Sequence, residues 1–333
     1  MKTKKIYFLE NSSSFSFADL DSPHIAGSEK TLINIANELS KNENLTIKVF
    51  NQYNKFSVQN NLLWSNLKNI DPSDKPDYLI AMSDANLLRL VNCKKKFLWS
   101  HSVQPVEKFI RKNQLIPFIM NKPILLLEGE YHYKTRSFLT SFFGKRILPI
   151  AVDDDFINSN VDHNFVPKPK AIFTTRSDRN LTFLLECWEK IKKKSPEARL
   201  LINPPYNLSK DDKKNGVFLR NKGNKSELIK DLLDSRLMLN PGHKGEVFCL
   251  AAEEARELCL PIITMGYGSL YERVKHNETG FICKNKDEFI NFTVNILNND
   301  DVYLDLKKKL LLKRNSRSYK DVANDFLKIL NES

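Results

Sequence analysis

The sequence predicts an α/β protein of two domains, each built on a doubly wound parallel sheet. Three observations carry this expectation. At about 100–200 residues per domain, 333 residues are enough for two. Short apolar, β-rich runs alternate with stretches whose apolar residues recur at helical spacing. The alternation pauses once, in a polar and proline-bearing segment after residue 150, and then restarts.

The elements follow in order. Lys4–Leu9 reads as a strand. Ser28–Ser40 carries Leu32, Ile35, Ala36 and Leu39 on one helical face, and Leu45–Phe50 is the next strand. Tyr78–Met82, Lys96–Trp99, Ile124–Leu127 and Arg146–Ile150 are further strands, with helices expected at Ala85–Val91 and Tyr131–Phe142. Residues 1–150 form the first domain, and 151–168, containing NSNVDHNFVPKPK, read as a linker. The second domain, 169–310, opens on a strand at Ala171–Thr175. An amphipathic helix follows over Asn180–Lys194, with Leu181, Leu184, Leu185, Trp188 and Ile191 on one face. Strands are expected at Leu200–Ile202, Val217–Leu219, Leu237–Leu239 and Pro261–Thr264, with helices at Lys225–Leu233 and Leu250–Leu258. Asn285 and Glu288 have the spacing of a helix-starting cap. A helical tail over 311–333, broken near Asn315–Ser318, is expected to pack back on the first domain. The simplest architecture is two Rossmann-like domains facing a cleft, with strand C-termini and helix N-termini turned to a ligand.

Composition narrows the function. The net charge is +12, of which +8 falls in residues 1–150 and +4 in the remainder. A basic excess suits an anionic partner: nucleic acid, a phosphate-bearing ligand or a membrane surface. It is also what a solvated, lysine-rich surface looks like. Lys94, Lys95, Lys96, Lys108, Arg111 and Lys112 lie near one another in the first half. No apolar run is long enough for a signal peptide or a membrane-spanning helix. Five scattered cysteines without a C-x-x-C pair, and equally dispersed histidines, argue against a disulfide framework or metal site and for a cytoplasmic setting. The first strand is followed by NSSSFSFADLDSPHIAG, without the G-x-G-x-x-G of a dehydrogenase. No helix-turn-helix, zinc-finger, RRM or KH pattern supports a nucleic-acid partner.

The richest segment is Asn240–Thr264, NPGHKGEVFCLAAEEARELCLPIIT. Glu246 precedes the expected helix and Glu254 lies two turns into it. The N–H groups of Phe248, Cys249 and Leu250 become the unsatisfied donors of its N-terminus, a natural phosphate site. Two carboxylates at this spacing can accept bonds from sugar hydroxyls; they are equally at home on a solvated helix.

The ordered run Glu246-Val247-Phe248-Cys249-Leu250, Glu254-Ala255, Leu260-Pro261-Ile262-Ile263, then Gly266–Ser269 and Asn277–Phe281 resembles the paired-glutamate signature of the retaining GT-B glycosyltransferases, the glycosyl transferases group 1 family. Ala26-Gly27-Ser28-Glu29, Ser100-His101, Ile147–Asp153 and Thr174–Asn180 fall in the family's order as well. The resemblance is tight over residues 170–290 and looser over 1–150. It implies a GT-B fold and retaining, metal-independent hexosyl transfer from a nucleotide-diphosphate sugar. The acceptor implied is a glycan or lipid-linked molecule, in the synthesis of cell-surface polysaccharide or glycolipid. No cofactor is implied beyond the donor.

Residue by residue, the resemblance puts Arg176 and Arg179 on the donor diphosphate, together with the backbone at Phe248, Cys249 and Leu250. It puts Glu254 on the ribose, Glu246 on a hydroxyl of the transferred sugar and His101 against that sugar from the first domain. Gly27 lets the first-domain backbone approach phosphate or acceptor. Val247 and Cys249 replace family glycines, as do Ala26 and Ala151, and Arg179 stands for a lysine. These departures keep open a catalytically impaired, binding-only protein. Cys249 beside a helix N-terminus could have a lowered pKa, although packing suits it better. The basic first domain suits peripheral contact with an anionic inner membrane face.

Overall fold

The computed structural model describes residues 3–22, 24–204, 211–221 and 223–332. The chain divides into two compact units, residues 1–151 with 318–333, and residues 152–317.

The first unit runs β1 (Lys4–Leu9), α1 (Gly27–Ser40), β2 (Leu45–Asn51), β3 (Ser57–Gln59), β4 (Leu62–Asn66), β5 (Tyr78–Met82), β6 (Lys95–Trp99), α2 (Val106–Arg111), α3 (Leu115–Asn121), β7 (Ile124–Leu127), α4 (Glu130–Thr135), α5 (Phe138–Ser141) and β8 (Lys145–Ile147). The sheet order is β3-β4-β2-β1-β5-β6-β7-β8, parallel except for the β3–β4 hairpin at its edge. β5 is buried at all five positions. A parallel strand covered on both faces reads as an unbroken apolar run rather than an alternation, which is why YLIAM is legible as a strand. β1 pairs with β2 on one side and β5 on the other, so the winding reverses there. The loops after β1 and β5 therefore diverge and leave room for a ligand.

The second unit runs α6 (Asp154–Ile157), β9 (Lys170–Phe173), α7 (Leu181–Lys194), β10 (Arg199–Ile202), β11 (Val217–Leu219), α8 (Lys225–Leu233), β12 (Leu237–Leu239), α9 (Leu250–Glu257), β13 (Ile262–Thr264), α10 (Leu270–Arg273), β14 (Gly280–Ile282), α11 (Lys286–Asn298) and α12 (Asp300–Leu311). Its sheet, β11-β10-β9-β12-β13-β14, is parallel throughout and reverses between β9 and β12. α7 buries Leu181, Leu184, Cys187, Trp188 and Ile191, a stripe at helical spacing. Asn285 caps α11 by accepting from Glu288 N at 2.9 Å, and Glu288 in return accepts from Lys284 N at 2.9 Å.

The chain then returns to the first unit as α13 (Tyr319–Glu332). The buried Phe326 stacks at 5.7 Å on Phe8 of β1 and at 6.2 Å on Trp99 of β6. Burying one such ring contributes roughly 1.5–3 kcal/mol.

Several local expectations change. The hairpin β3–β4 escaped the sequence reading, because three of its residues form only a short, largely exposed edge. The helix expected over Tyr131–Phe142 is two, α4 and α5, with extended backbone at Arg136 between them. Residues 151–168, expected as a linker, pack into the second unit instead. Val152 and Phe156 lie in one of its cores, and Val161 packs with Cys259 and Leu310. The helix at Ala85–Val91 is a 3-10 turn over Ala85–Arg89. All five cysteines are free thiols.

The turn from α12 toward α13 is held by a buried carboxylate. Glu257 Oε1 accepts from the backbone N–H groups of Asn315 at 2.7 Å and Ser316 at 3.1 Å, and Arg314 lies 3.5 Å from its other oxygen. Glu257 is 1% exposed. Removing one member of a buried charged pair leaves the other uncompensated. Glu257→Leu is expected to destabilise the second unit by about 3 kcal/mol, read as an earlier transition in urea. Glu257→Gln, which keeps the acceptor oxygen, should lose clearly less.

Candidate active site

Two groups of polar side chains gather at the carboxyl ends of the sheets, one group in each unit. In the second unit the framework is the turn from β12 into α9. Asn240 ends the strand fully buried. Its side chain accepts from Gly242 N at 3.1 Å and donates to Cys249 Sγ at 3.4 Å, tying the two ends of the turn together. Cys249 caps α9 in the left-handed region, at φ +63°. A side chain pays for that conformation where glycine does not, by roughly 1–2 kcal/mol. This is a physical reason for the glycine that the resembling family carries there. Gly268 seals the turn from behind: a Cβ on it would stand 2.3 Å from His243 O and 2.7 Å from Glu246 O.

Glu246 sits in the loop, as its position before the helix suggested. Its Oε2 is buried and has no hydrogen-bond partner among the described residues. Burial raises its pKa; the positive charge of Arg179, then a hydrogen bond with Cys249 and the charge of Arg176, oppose that rise. Arg179 Nη1 lies 2.7 Å from His243 Nδ1, which also accepts from Gly245 N at 2.9 Å. His243 therefore holds its other nitrogen as the N–H and aims the guanidinium across the turn. Arg176 is less confined: its guanidinium makes two bonds to Asp178, at 3.0 and 2.6 Å, and is 72% exposed.

α9 begins at Leu250, so the N–H groups at Cys249 and Leu250 fall at the positions without an intrahelical acceptor. Phe248 and Cys249 are buried, and Arg273 clamps the loop by donating to Phe248 O at 2.9 Å while lying 4.1 Å over its ring. Glu254 is the fifth residue of α9, little more than one turn in rather than two. Burial, and then the Glu246 carboxylate, push the Cys249 thiol well above the ordinary range. That is opposite to activation by a helix N-terminus and leaves Cys249 as packing. The hydroxyls of Thr174 and Thr175, at the end of β9, are buried without a partner among the described residues.

In the first unit a small cavity is lined by Glu10, Ser12, Glu29, Ser83 and His101 among others. Glu10 accepts from Ser12 N at 2.7 Å and Ser13 N at 3.2 Å, folding the loop after β1 back on itself. Gly27 opens α1, and Glu29 accepts from Ala26 N at 2.6 Å. His101 follows β6, with Nδ1 2.5 Å from Glu128 Oε1. Its Nε2 is buried and lacks a partner among the described residues. A second histidine, His132, accepts from Glu128 N at 3.3 Å. Burial lowers its pKa to about 3, so it stays neutral. The Glu128 carboxylate thus orients His101, while His132 meets the Glu128 backbone N–H.

Thus the second unit brings Arg179, Glu246, Cys249 and Leu250 to one turn, while His101 and Gly27 belong to the first. The sequence reading missed His243, Asn240 and Glu128. Each had a signal: a histidine between two glycines, a polar residue directly after an apolar strand, and a glutamate directly after Ile124–Leu127.

Residues 159–317 match the model of the family described as glycosyl transferases group 1. No curated protein matches the chain in sequence. Among solved structures, sucrose-phosphate synthase from Thermosynechococcus elongatus is 12% identical at a TM-score of 0.69, covering 99% of this chain and 98% of that one. Anabaena HepE, in complex with UDP and glucose, is 12% identical at 0.67, covering 99% and 100%. WaaG, a glycosyltransferase involved in lipopolysaccharide biosynthesis, is 10% identical at 0.67, covering 99% and 100%. The fold is accordingly that of the GT-B glycosyltransferases, and the second unit, over residues 159–317, carries the match to the glycosyl transferases group 1 family.

Proposed function

We propose that the protein is a retaining glycosyltransferase moving a sugar from a nucleotide-diphosphate donor to a glycan or lipid-linked acceptor at the cytoplasmic membrane face. The observation that carries this reading is the β12–α9 turn. It combines a half-buried guanidinium–imidazole pair, an unpartnered carboxylate oxygen and the start of a helix within a segment that matches the group 1 family.

The roles follow from charge. As the glycosidic bond breaks, negative charge grows on the leaving diphosphate, and Arg179, Arg176 and the N–H groups opening α9 offset it. Glu246 accepts from a hydroxyl of the transferred sugar, and Glu254 from the ribose. His101, with Nδ1–H given to Glu128, presents Nε2 as an acceptor to a substrate hydroxyl. The acceptor hydroxyl attacks from the face the diphosphate leaves, and the departing phosphate oxygen takes its proton. No side chain is assigned as covalent nucleophile. A binding-only protein is the second reading, favoured by the Cβ that Cys249 places in a left-handed turn.

Three outcomes test this. One of the UDP-, GDP- or ADP-sugars is expected to raise the unfolding temperature, and turnover of that donor should persist in EDTA with the anomeric configuration kept. Arg179→Ala should weaken donor binding by about 10- to 100-fold, roughly 1.4–3 kcal/mol. Donor binding without turnover toward any acceptor would favour the second reading.

Glu246 holds its proton to a higher pH folded than unfolded. Its contribution to stability is therefore full below the ordinary carboxylate range and lost as pH rises through the raised value. Glu246→Gln should raise the unfolding temperature at neutral pH, lose that gain near pH ~4, and lower turnover at every pH. A Gln variant less stable at neutral pH would contradict the burial argument.

Glu128→Gln keeps a hydrogen-bond acceptor but removes the charge behind His101. It should lower kcat about tenfold while leaving KM for the donor unchanged. Nitrogen NMR of His101 should report Nδ1–H in the native protein and a mixture of tautomers in Glu128→Leu.

A further inference from the structure

Outside these groups the first unit carries an exposed apolar surface. On α3, Pro117 and Phe118 are buried, yet Ile116, Ile119 and Met120 are each more than half exposed. Phe138, Leu139 and Phe142, on and just after α5, are exposed to the same degree. The two segments are joined by a ladder of rings: Phe138 on Phe142 at 5.8 Å, Phe142 on Phe143 at 5.5 Å, and Phe143 on Phe118 of α3 at 5.5 Å. Six large exposed apolar side chains on two segments that pack on one another mark a site of interaction rather than ordinary exposure.

Its border is positive. Arg111 and Lys112 are exposed at the end of α2, and Lys122 is exposed at the end of α3, two residues from Met120. The exposed acids of the same stretch are Glu107 and Glu130, and Glu130 lies 3.8 Å from Lys134. By contrast, the lysines that stood out in sequence are partly consumed inside the unit. Lys96 donates to Leu88 O and Asn121 Oδ1, and Lys95 to Leu330 O.

We propose that the α3–α5 surface docks on an anionic lipid bilayer, with Phe138, Leu139, Phe142, Ile116, Ile119 and Met120 entering the interface. Arg111, Lys112 and Lys122 meet lipid phosphates. Apolar side chains flanked by cations suit the boundary between headgroups and acyl chains, where burial and charge attraction add. A second copy suits this surface poorly, because a two-fold contact offers the cations only the same surface, whose exposed acids are Glu107 and Glu130. No helix among the described residues is long and apolar enough to cross a membrane, so the contact lies in the plane of the surface. The proposal deepens the membrane-face setting proposed above by naming the surface that makes the contact, and it does not depend on the transfer reaction.

The test is vesicle flotation of the full chain, with phosphatidylcholine alone or with about one-third phosphatidylglycerol. Wild type should float with the anionic vesicles about tenfold better than with the neutral ones, less so at high salt. A Phe138→Ser, Leu139→Ser, Phe142→Ser triple variant and an Arg111→Glu, Lys112→Glu, Lys122→Glu triple variant should each lose that binding. Unchanged unfolding temperatures would show that both variants fold. Wild type that stays with neither vesicle, or apolar variants that float like wild type, would overturn the proposal. So would self-association on size exclusion that the serine substitutions abolish without any change in flotation. Donor-induced thermal shifts, measured on the same samples, report separately on the glycosyltransferase reading.

Discussion

The turn from β12 into α9 has to reverse the chain, bury Phe248 and Cys249, and still leave the first N–H groups of a helix open. Those demands conflict unless something fixes the backbone from several sides. Asn240 does so by bonding both ends of the turn, Gly268 by letting another backbone press against it, and Arg273 by gripping the carbonyl and ring of Phe248. With the backbone held, Glu246 can keep an unpartnered carboxylate oxygen in a buried place without being expelled to solvent. Arg179 supplies the charge that makes this tolerable, and His243 holds Arg179 in turn. Polar groups of this kind lower stability where they stand and are retained where a ligand uses them.

The first unit solves a similar problem, with Ser83 rather than a cysteine in the left-handed region. A carboxylate buried behind an imidazole fixes which nitrogen carries the proton, and the neutral His132 accepts from the backbone N–H of the same glutamate. The second unit places its polar groups where its strands reverse their winding, and in the first Glu10 and Ser83 lie at the reversal with His101 lining the same cavity. Diverging loops there open a concave space without extra residues.

Much of this was legible in the chain, for identifiable reasons. Parallel strands buried on both faces, such as Tyr78–Met82 and Leu237–Leu239, are short apolar runs with little else they could be. The α7 face was legible because five large side chains recur at helical spacing. Glu246, Arg179 and the start of α9 were legible through ordered motif spacing. What was not legible depended on contacts distant in sequence. His243 matters because of Arg179, 64 residues away. Glu128 matters because of His101, 27 residues away. The segment after residue 150 looked like a linker because its polar residues outnumber Val152, Phe156 and Val161, yet those three decide where it packs. The exposed rings of Phe138 and Phe142 were read as helix, since periodicity says which residues share a face and not which face is covered.

The return of α13 to the first unit has a consequence for how the protein is made. Phe326 completes the packing of Phe8 and Trp99, and Lys4 reaches Asn331 at 3.0 Å. During synthesis, β1 through β8 emerge first but lack the helix that covers part of their sheet. Every residue of the second unit must be added before that helix exists. The unit that begins first is thus the one that finishes last, and its uncovered apolar face is exposed for the time needed to translate about 170 residues, on the order of 10–30 s at ordinary elongation rates. A chain built this way joins a late-made helix to an early-made strand of the same sheet.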